Sequence, residues 1–195
     1  MITDRHRLAA TDPERLVAER VAAAAASGVD LIQVRERDLD GRALLGLVTR
    51  CVGAASGTRT RVLVNDRLDV ALAAGAHGVH LRADSMPAPR ARTLAPPGFL
   101  IGRSVHSVEE AVTACADGGL DYLLFGAVFT TVSKPGQTPA GVQALADVSA
   151  AVSLPVLGVG GISRETVGRL AGTGCAGFAA IGWFVDGAQD VLERG

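Results

Sequence analysis

The chain has 195 residues, 19 basic and 20 acidic side chains, a net charge of −1 and 48% hydrophobic residues. Such a composition excludes intrinsic disorder, and without a long like-charge run it argues against nucleic acid or an anionic membrane surface as a partner. The length suits a single domain over 1–195, and no apolar run reaches the ~18 residues of a membrane span.

The first element is a short strand at Ile2-Thr3-Asp4, expected to be abbreviated, even truncated. Thr11-Asp12-Pro13-Glu14 then opens a helix over 12–27, with a cap residue followed by proline in the first turn. A pattern follows that recurs four times: an Ala-rich helix ends at a glycine, and a short apolar run succeeds it. The copies centre on Gly28, Gly75, Gly118 and Gly172, and lead into runs at 29–35, 76–81, 119–125 and 176–181. The glycine suits the left-handed residue that closes a helix. The short apolar run suits a parallel strand buried on both faces. Further strands are expected at 61–65, 99–102 and 154–159. Helices are expected at 40–56, 67–75, 107–117, 139–152, 163–173 and 187–194, with Ser107 and Ser163 as caps before early acidic residues.

Alternating strands and helices predict an α/β fold. Eight units would close a compact (β/α)8 TIM barrel, and an open doubly wound sheet is its competitor. The barrel is preferred because no Gly-x-Gly-x-x-Gly follows the first strand. The three cysteines, Cys51, Cys115 and Cys175, lack metal-ligand spacing and read as reduced thiols of a cytoplasmic protein.

In a barrel the chemistry gathers where strands end. Gln33, Arg35 and Arg37 alternate onto one face, and two cations with an amide suit a polyanion such as diphosphate. Charge pairing of these arginines with Glu36 or Asp38 is the plainer alternative. Asn65 and Asp66 offer the hard oxygens that Mg²⁺ prefers, or else cap the helix that begins at Arg67. Asp84 is a second hard oxygen ligand that could assist Asp66. The loop from Gly126 to Pro139 spans about 14 residues where roughly 2–6 is usual, which suggests a lid. It carries Thr131, Ser133 and Lys134, two hydroxyl donors and a cation for phosphate oxygens. Gly160-Gly161 and Ile181-Gly182 follow the last two predicted strands, where backbone N–H groups could hold a phosphate. His80 reads as a core histidine rather than a catalyst, His106 is open between the two, and His6 and His77 read as surface residues.

In order and spacing, these segments resemble the thiamine phosphate synthase/TenI family. The likeness runs through Ile2-Thr3-Asp4, Gln33-Val34-Arg35-Glu36-Arg37, Val64-Asn65-Asp66-Arg67 and Gly78-Val79-His80-Leu81. It continues through Ile101-Gly102-Arg103-Ser104-Val105-His106-Ser107, Asp121 to Gly126, Thr131-Val132-Ser133-Lys134 and Gly158-Val159-Gly160-Gly161-Ile162. The resemblance implies a barrel that binds a thiazole phosphate and, in the synthase branch, an aminopyrimidine methyl diphosphate with Mg²⁺. Diphosphate leaves, and the thiazole nitrogen captures the pyrimidine methyl cation. Matching positions are Gln33, Arg35, Asn65, Asp66, Ser104, Thr131, Ser133 and Lys134. Lys134, Arg35 and Ser104 would then serve the reacting groups, and Gly160, Gly161, Ile181 and Gly182 the phosphate. The enzyme would be a transferase of thiamine biosynthesis working on small phosphorylated substrates, with a homodimer left open.

Three departures stand out. Arg37 replaces the usual lysine of the synthases. Arg82-Ala83-Asp84-Ser85 replaces their Gly-Gln-x-Asp, so the second metal carboxylate is displaced by one residue or lost. The catalytic histidine of the TenI-like thiazole tautomerases falls at Ala127. An isomerase of that kind would need another acid–base group, such as His106 or Glu36. A non-catalytic protein that binds thiazole or thiamine phosphates is the remaining alternative.

Overall fold

The computed structural model describes residues 1–8, 10–131, 136 and 138–185. Among the described residues, seven parallel strands form a single sheet, ordered as in the sequence: β1 (Leu31–Val34), β2 (Arg61–Asn65), β3 (Gly78–Leu81), β4 (Leu100–Val105), β5 (Tyr122–Gly126), β6 (Val156–Val159) and β7 (Gly177–Ala179). Register is direct, with Ile32 opposite Val62, Val64 opposite Val79 and Leu124 opposite Leu157. Every residue of β3 and of β5 is buried, as expected of parallel strands covered on both faces.

The expected closed (β/α)8 TIM barrel is not what forms. The strands pair in the order β1 to β7, and among the described residues β1 is not paired with β7, so the sheet is open. The eighth strand expected at Ile2-Thr3-Asp4 is reduced to an isolated bridge, Ile2 to Gln33. The Thr3 amide donates to the Gln33 carbonyl (3.0 Å), and by Arg5 the chain has turned into a 3₁₀ helix, Arg5–Arg7. At the other edge, β7 is only three residues long. Among the described residues, neither edge supplies a full-length strand with which the ladder could close.

The helices α1 (Pro13–Ala26), α2 (Gly41–Ala54), α3 (Leu68–Ala73), α5 (Val108–Asp117) and α6 (Gly141–Ala151) lie where the sequence predicts them. Asp12, Asp40 and Ser107 accept from the amides of Arg15, Ala43 and Glu110, so three N-termini are capped by side chains. Gly28, Gly75 and Gly118 have φ of 82°, 65° and 78°, the left-handed region expected of them. Helix α4 (Ala88–Leu94) was not foreseen, since Pro87 and Pro89 obscure it; both fall at its start, where proline is tolerated. The helix expected at 163–173 shrinks to a 3₁₀ turn, Val167–Leu170. There Thr166 Oγ1 accepts from the Ser163 amide and donates to the Gly161 carbonyl, which competes with α-helical bonding. Gly168 weakens it further, at about 1 kcal/mol for a glycine inside a helix. A short helix α7 (Gly182–Val185) follows β7, and the helix expected at 187–194 lies outside the described residues.

The chain divides into two compact units. The first comprises Met1–His80, Pro97–Leu100 and Ile181–Gly195; its core includes Ile32, Val34, Leu47 and Leu63. Cys51 is wholly buried on α2, and burial pushes its thiol up to about 12. The second comprises Leu81–Pro96 and Ile101–Ala180, with Leu81, Ile101, Leu123, Phe125 and Leu145 at its centre. Among the described residues no helix is long and apolar enough to cross a membrane.

Candidate active site

In the first unit the candidate residues stand at the ends of β1 and β2. Gln33 is buried, and its Nε2 donates to Asn65 Oδ1 at 3.0 Å, which joins the two strand ends. Asp66 comes next, half-buried, with its amide bonded to the His80 carbonyl at 2.9 Å. It is the one non-glycine residue with positive φ among those described, at 63°. A left-handed conformation costs an L-residue roughly 1–2 kcal/mol, less for Asp, and such strain gathers at functional sites. The helix that follows, α3, has Arg67 at its N-cap position, and the Arg67 side chain makes no cap hydrogen bond.

His80 is fully buried. Burial, helped by the charge of Arg35, drives its imidazole down to about 3, so it is neutral at physiological pH. It is a core histidine, as expected. His77 is half-buried rather than a surface residue, and its Nδ1 accepts from the Val62 amide at 3.1 Å. Arg35 is half-buried and Arg37 exposed. Both nearby carboxylates are held by a third arginine. Arg5 clamps Asp38 with two bonds of 2.5 Å, which hold the Asp38 carboxyl well below the usual range, and its Nη1 lies 3.4 Å from Glu36 Oε2. Ile181 and Gly182, expected to bind phosphate, lie at the start of α7 in this unit.

In the second unit, Ser104 is half-buried on β4, and Arg103 Nη2 donates to the Ala83 carbonyl at 2.9 Å. Asp84 is exposed, with Arg82 2.5 Å from its Oδ2. His106 is exposed; its amide donates to Glu110 Oε2 at 2.8 Å, and its Nδ1 lies 3.3 Å from the same oxygen. Gly160 and Gly161 have φ of 100° and 63°. A Cβ on Gly160 would come within 2.7 Å of Ala127, and one on Gly161 would strike the Thr130 carbonyl oxygen. Val128 and Phe129 amides donate to the Val159 and Gly160 carbonyls at 2.9 Å each. The Phe129 ring is overlain by Arg169, 4.9 Å from its centroid. Thr131 is half-buried; Ser133 and Lys134 lie outside the described residues.

Among the described residues no three His, Cys, Asp or Glu side chains gather as a metal cluster. Mg²⁺ needs none, because it typically takes one or two carboxylates together with substrate phosphates and water. The Asp66 carboxylate, beside the strand end that carries Arg35, fits that pattern. One contribution the sequence reading missed is the junction of Thr3 with Glu36. Alternation along 33–37 gave the signal: it places Glu36 opposite Arg35, toward buried surroundings.

A family model described as thiamine monophosphate synthase (TMP-TENI) matches residues 1–184. The thiamine-phosphate synthase of Methanoculleus marisnigri is 46% identical over 159 residues, 81% of this chain and 75% of that one. That of Roseiflexus castenholzii is 37% identical over 191 residues, 97% of this chain and 81% of that one. Among solved structures, the thiamine phosphate pyrophosphorylase from Pyrococcus furiosus superposes with a TM-score of 0.80 at 31% identity, covering 99% of this chain and 94% of its own. The chain belongs to the thiamine monophosphate synthase/TenI family.

Proposed function

We propose that the chain is a thiamine phosphate synthase, which couples an aminopyrimidine methyl diphosphate to a thiazole phosphate. The bond between the pyrimidine methylene carbon and the diphosphate oxygen breaks. The thiazole nitrogen forms the new bond to that carbon, and diphosphate departs. The carrying observation is the end of β2, where Asp66 is held left-handed next to the bonded Gln33–Asn65 pair. Arg35 would neutralise charge that develops on the leaving diphosphate, and Lys134, by its place in the family motif, would do the same. Gln33 and Asn65 would orient the pyrimidine, while Ser104, Thr131 and Ser133 would donate hydrogen bonds. Gly160 and Gly161 let backbone approach the thiazole phosphate closely. Mg²⁺, when bound through Asp66 and the substrate oxygens, would supply further charge neutralisation.

Ala127 has no proton to transfer, Glu36 is taken up by Thr3 and Arg5, and His106 by Glu110. No observation favours the tautomerase. The test incubates purified protein with both substrates and Mg²⁺, and separately with the thiazole tautomer alone. Thiamine phosphate and diphosphate are expected only in the first reaction. Ring aromatisation in the second without coupling in the first would overturn the proposal.

A further inference from the structure

The residues at the end of β1 are fastened from outside the strand, and one hydroxyl joins two of them. Thr3 is 1% exposed, and its Oγ1 makes two bonds of opposite sense. It donates to Glu36 Oε1 at 2.6 Å and accepts from the Arg35 amide at 3.0 Å. The polarity has a cause. A carboxylate only accepts, so the hydroxyl proton points at Glu36 and a lone pair is left for the Arg35 amide.

Glu36 is itself 4% exposed. Its oxygens also accept from the Arg5 amide, at 3.2 and 3.1 Å. Main chain adds to the fastening, since the Thr3 amide donates to the Gln33 carbonyl at 3.0 Å and the Gln33 amide to the Met1 carbonyl at 2.9 Å. Residues 33, 35 and 36 are therefore each held from the segment that ends at Arg5. Burying a carboxylate costs several kcal/mol, and apolar side chains would close the same turn at least as stably. Packing alone does not account for the arrangement. What it achieves is a fixed backbone at Arg35, and a fixed backbone sets the direction in which the guanidinium leaves the strand.

The geometry points to Thr3 and Glu36 as positioning residues that aim Arg35 at the diphosphate group of the substrate. This inference rests on the proposed synthase reading of Arg35. Neither residue touches the reacting atoms. Their action passes through the Arg35 main chain, and it should be felt on the diphosphate substrate and not on the thiazole phosphate.

The experiment uses Thr3→Val, which keeps shape and removes the hydroxyl, and Thr3→Ser, which keeps the hydroxyl. Steady-state kinetics are read for each substrate separately, together with binding of inorganic diphosphate in Mg²⁺. Thr3→Val is expected to weaken inorganic diphosphate and lower kcat/KM for the diphosphate substrate about 10- to 100-fold, the scale for small misplacements of a binding group. KM for thiazole phosphate should stay within about twofold, and Thr3→Ser should recover most of the loss. In an Arg35→Met background, Thr3→Val should cause no further loss, because the group it aims is gone. Equal losses on both substrates, or a Thr3→Val effect that adds in full to Arg35→Met, would overturn the inference. Should Thr3→Val not fold, as read by circular dichroism, Glu36→Gln takes its place with the same expected split. Wild-type protein that binds inorganic diphosphate but makes no thiamine phosphate refutes the synthase reading and leaves the diphosphate arm to decide this one. Wild-type protein that binds no diphosphate removes the ground of both.

Discussion

The end of β1 and the turn after β6 are held by different means. At β1, side chains do the fixing: the Gln33–Asn65 pair, the Thr3 hydroxyl, the buried Glu36 carboxylate and the Arg5 fork on Asp38. At β6 the backbone does most of it, through the amides of Val128 and Phe129 on the carbonyls of Val159 and Gly160, with two glycines at positive φ and one side-chain bond, from Thr166 Oγ1 to the Gly161 carbonyl. The difference governs what mutation can do. A side-chain-held segment can be loosened one group at a time, with graded effects. A backbone-held turn ignores most neighbouring side chains and fails when a Cβ is forced into it.

The largest effect should come from Asp66→Gly. Glycine accepts the 63° φ, so the melting curve should shift by less than the equivalent of about 1 kcal/mol. Diphosphate release should nevertheless fall on the order of 10²- to 10³-fold and lose its Mg²⁺ dependence. Unchanged Mg²⁺ dependence would mean that the conformation at Asp66 serves only the turn. Next comes Gly161→Val, where positive φ and overlap with Thr130 and Phe129 act together. A stability loss of about 3 kcal/mol in urea denaturation, with weaker thiazole phosphate binding, is expected. A mild result would show that the turn can yield, which its backbone bonding forbids.

A smaller effect concerns acid. His80 is buried neutral with its pKa lowered from 6.5 to about 3. A depressed folded-state value gives stability that is complete above the unfolded pKa and lost as pH falls toward the folded one. Urea midpoints should therefore decline between pH 6.5 and about 3, and less steeply in His80→Gln than in wild type. Parallel declines would exclude the imidazole as a source. Smallest is Arg169→Gln, which removes the cation over Phe129 and should lower stability by about 0.5–1 kcal/mol. Thermal melting of that variant tests whether the backbone-held region takes any of its firmness from side chains.

Much of this was legible in the residues. Caps and closing glycines marked α1 and α5, because these signals act within a few positions of chain. The pairing of Gln33 with Asn65 could be inferred only as two polar strand ends; that they bond required the β1–β2 register. Barrel closure failed because counting strand–helix units says nothing of strand length, and Ile2 contributes one bridge where a ladder was needed. The left-handed Asp66 left no mark in the sequence, since Asp is common in ordinary turns. The ion pair between Arg82 and Asp84 was not legible either, since residue type does not show which charges meet.

Cys51 has a practical consequence of its own. Its sulfur is sealed on α2 and stays protonated, whereas alkylation and disulfide exchange run through an accessible thiolate. In the closed protein it is chemically silent. A thiol reagent can reach it only in the moments when α2 lifts from the sheet, so the rate of labelling at this one sulfur counts those moments. The native chain thus holds its own clock for local opening beside β1 and β2, with no probe added by engineering.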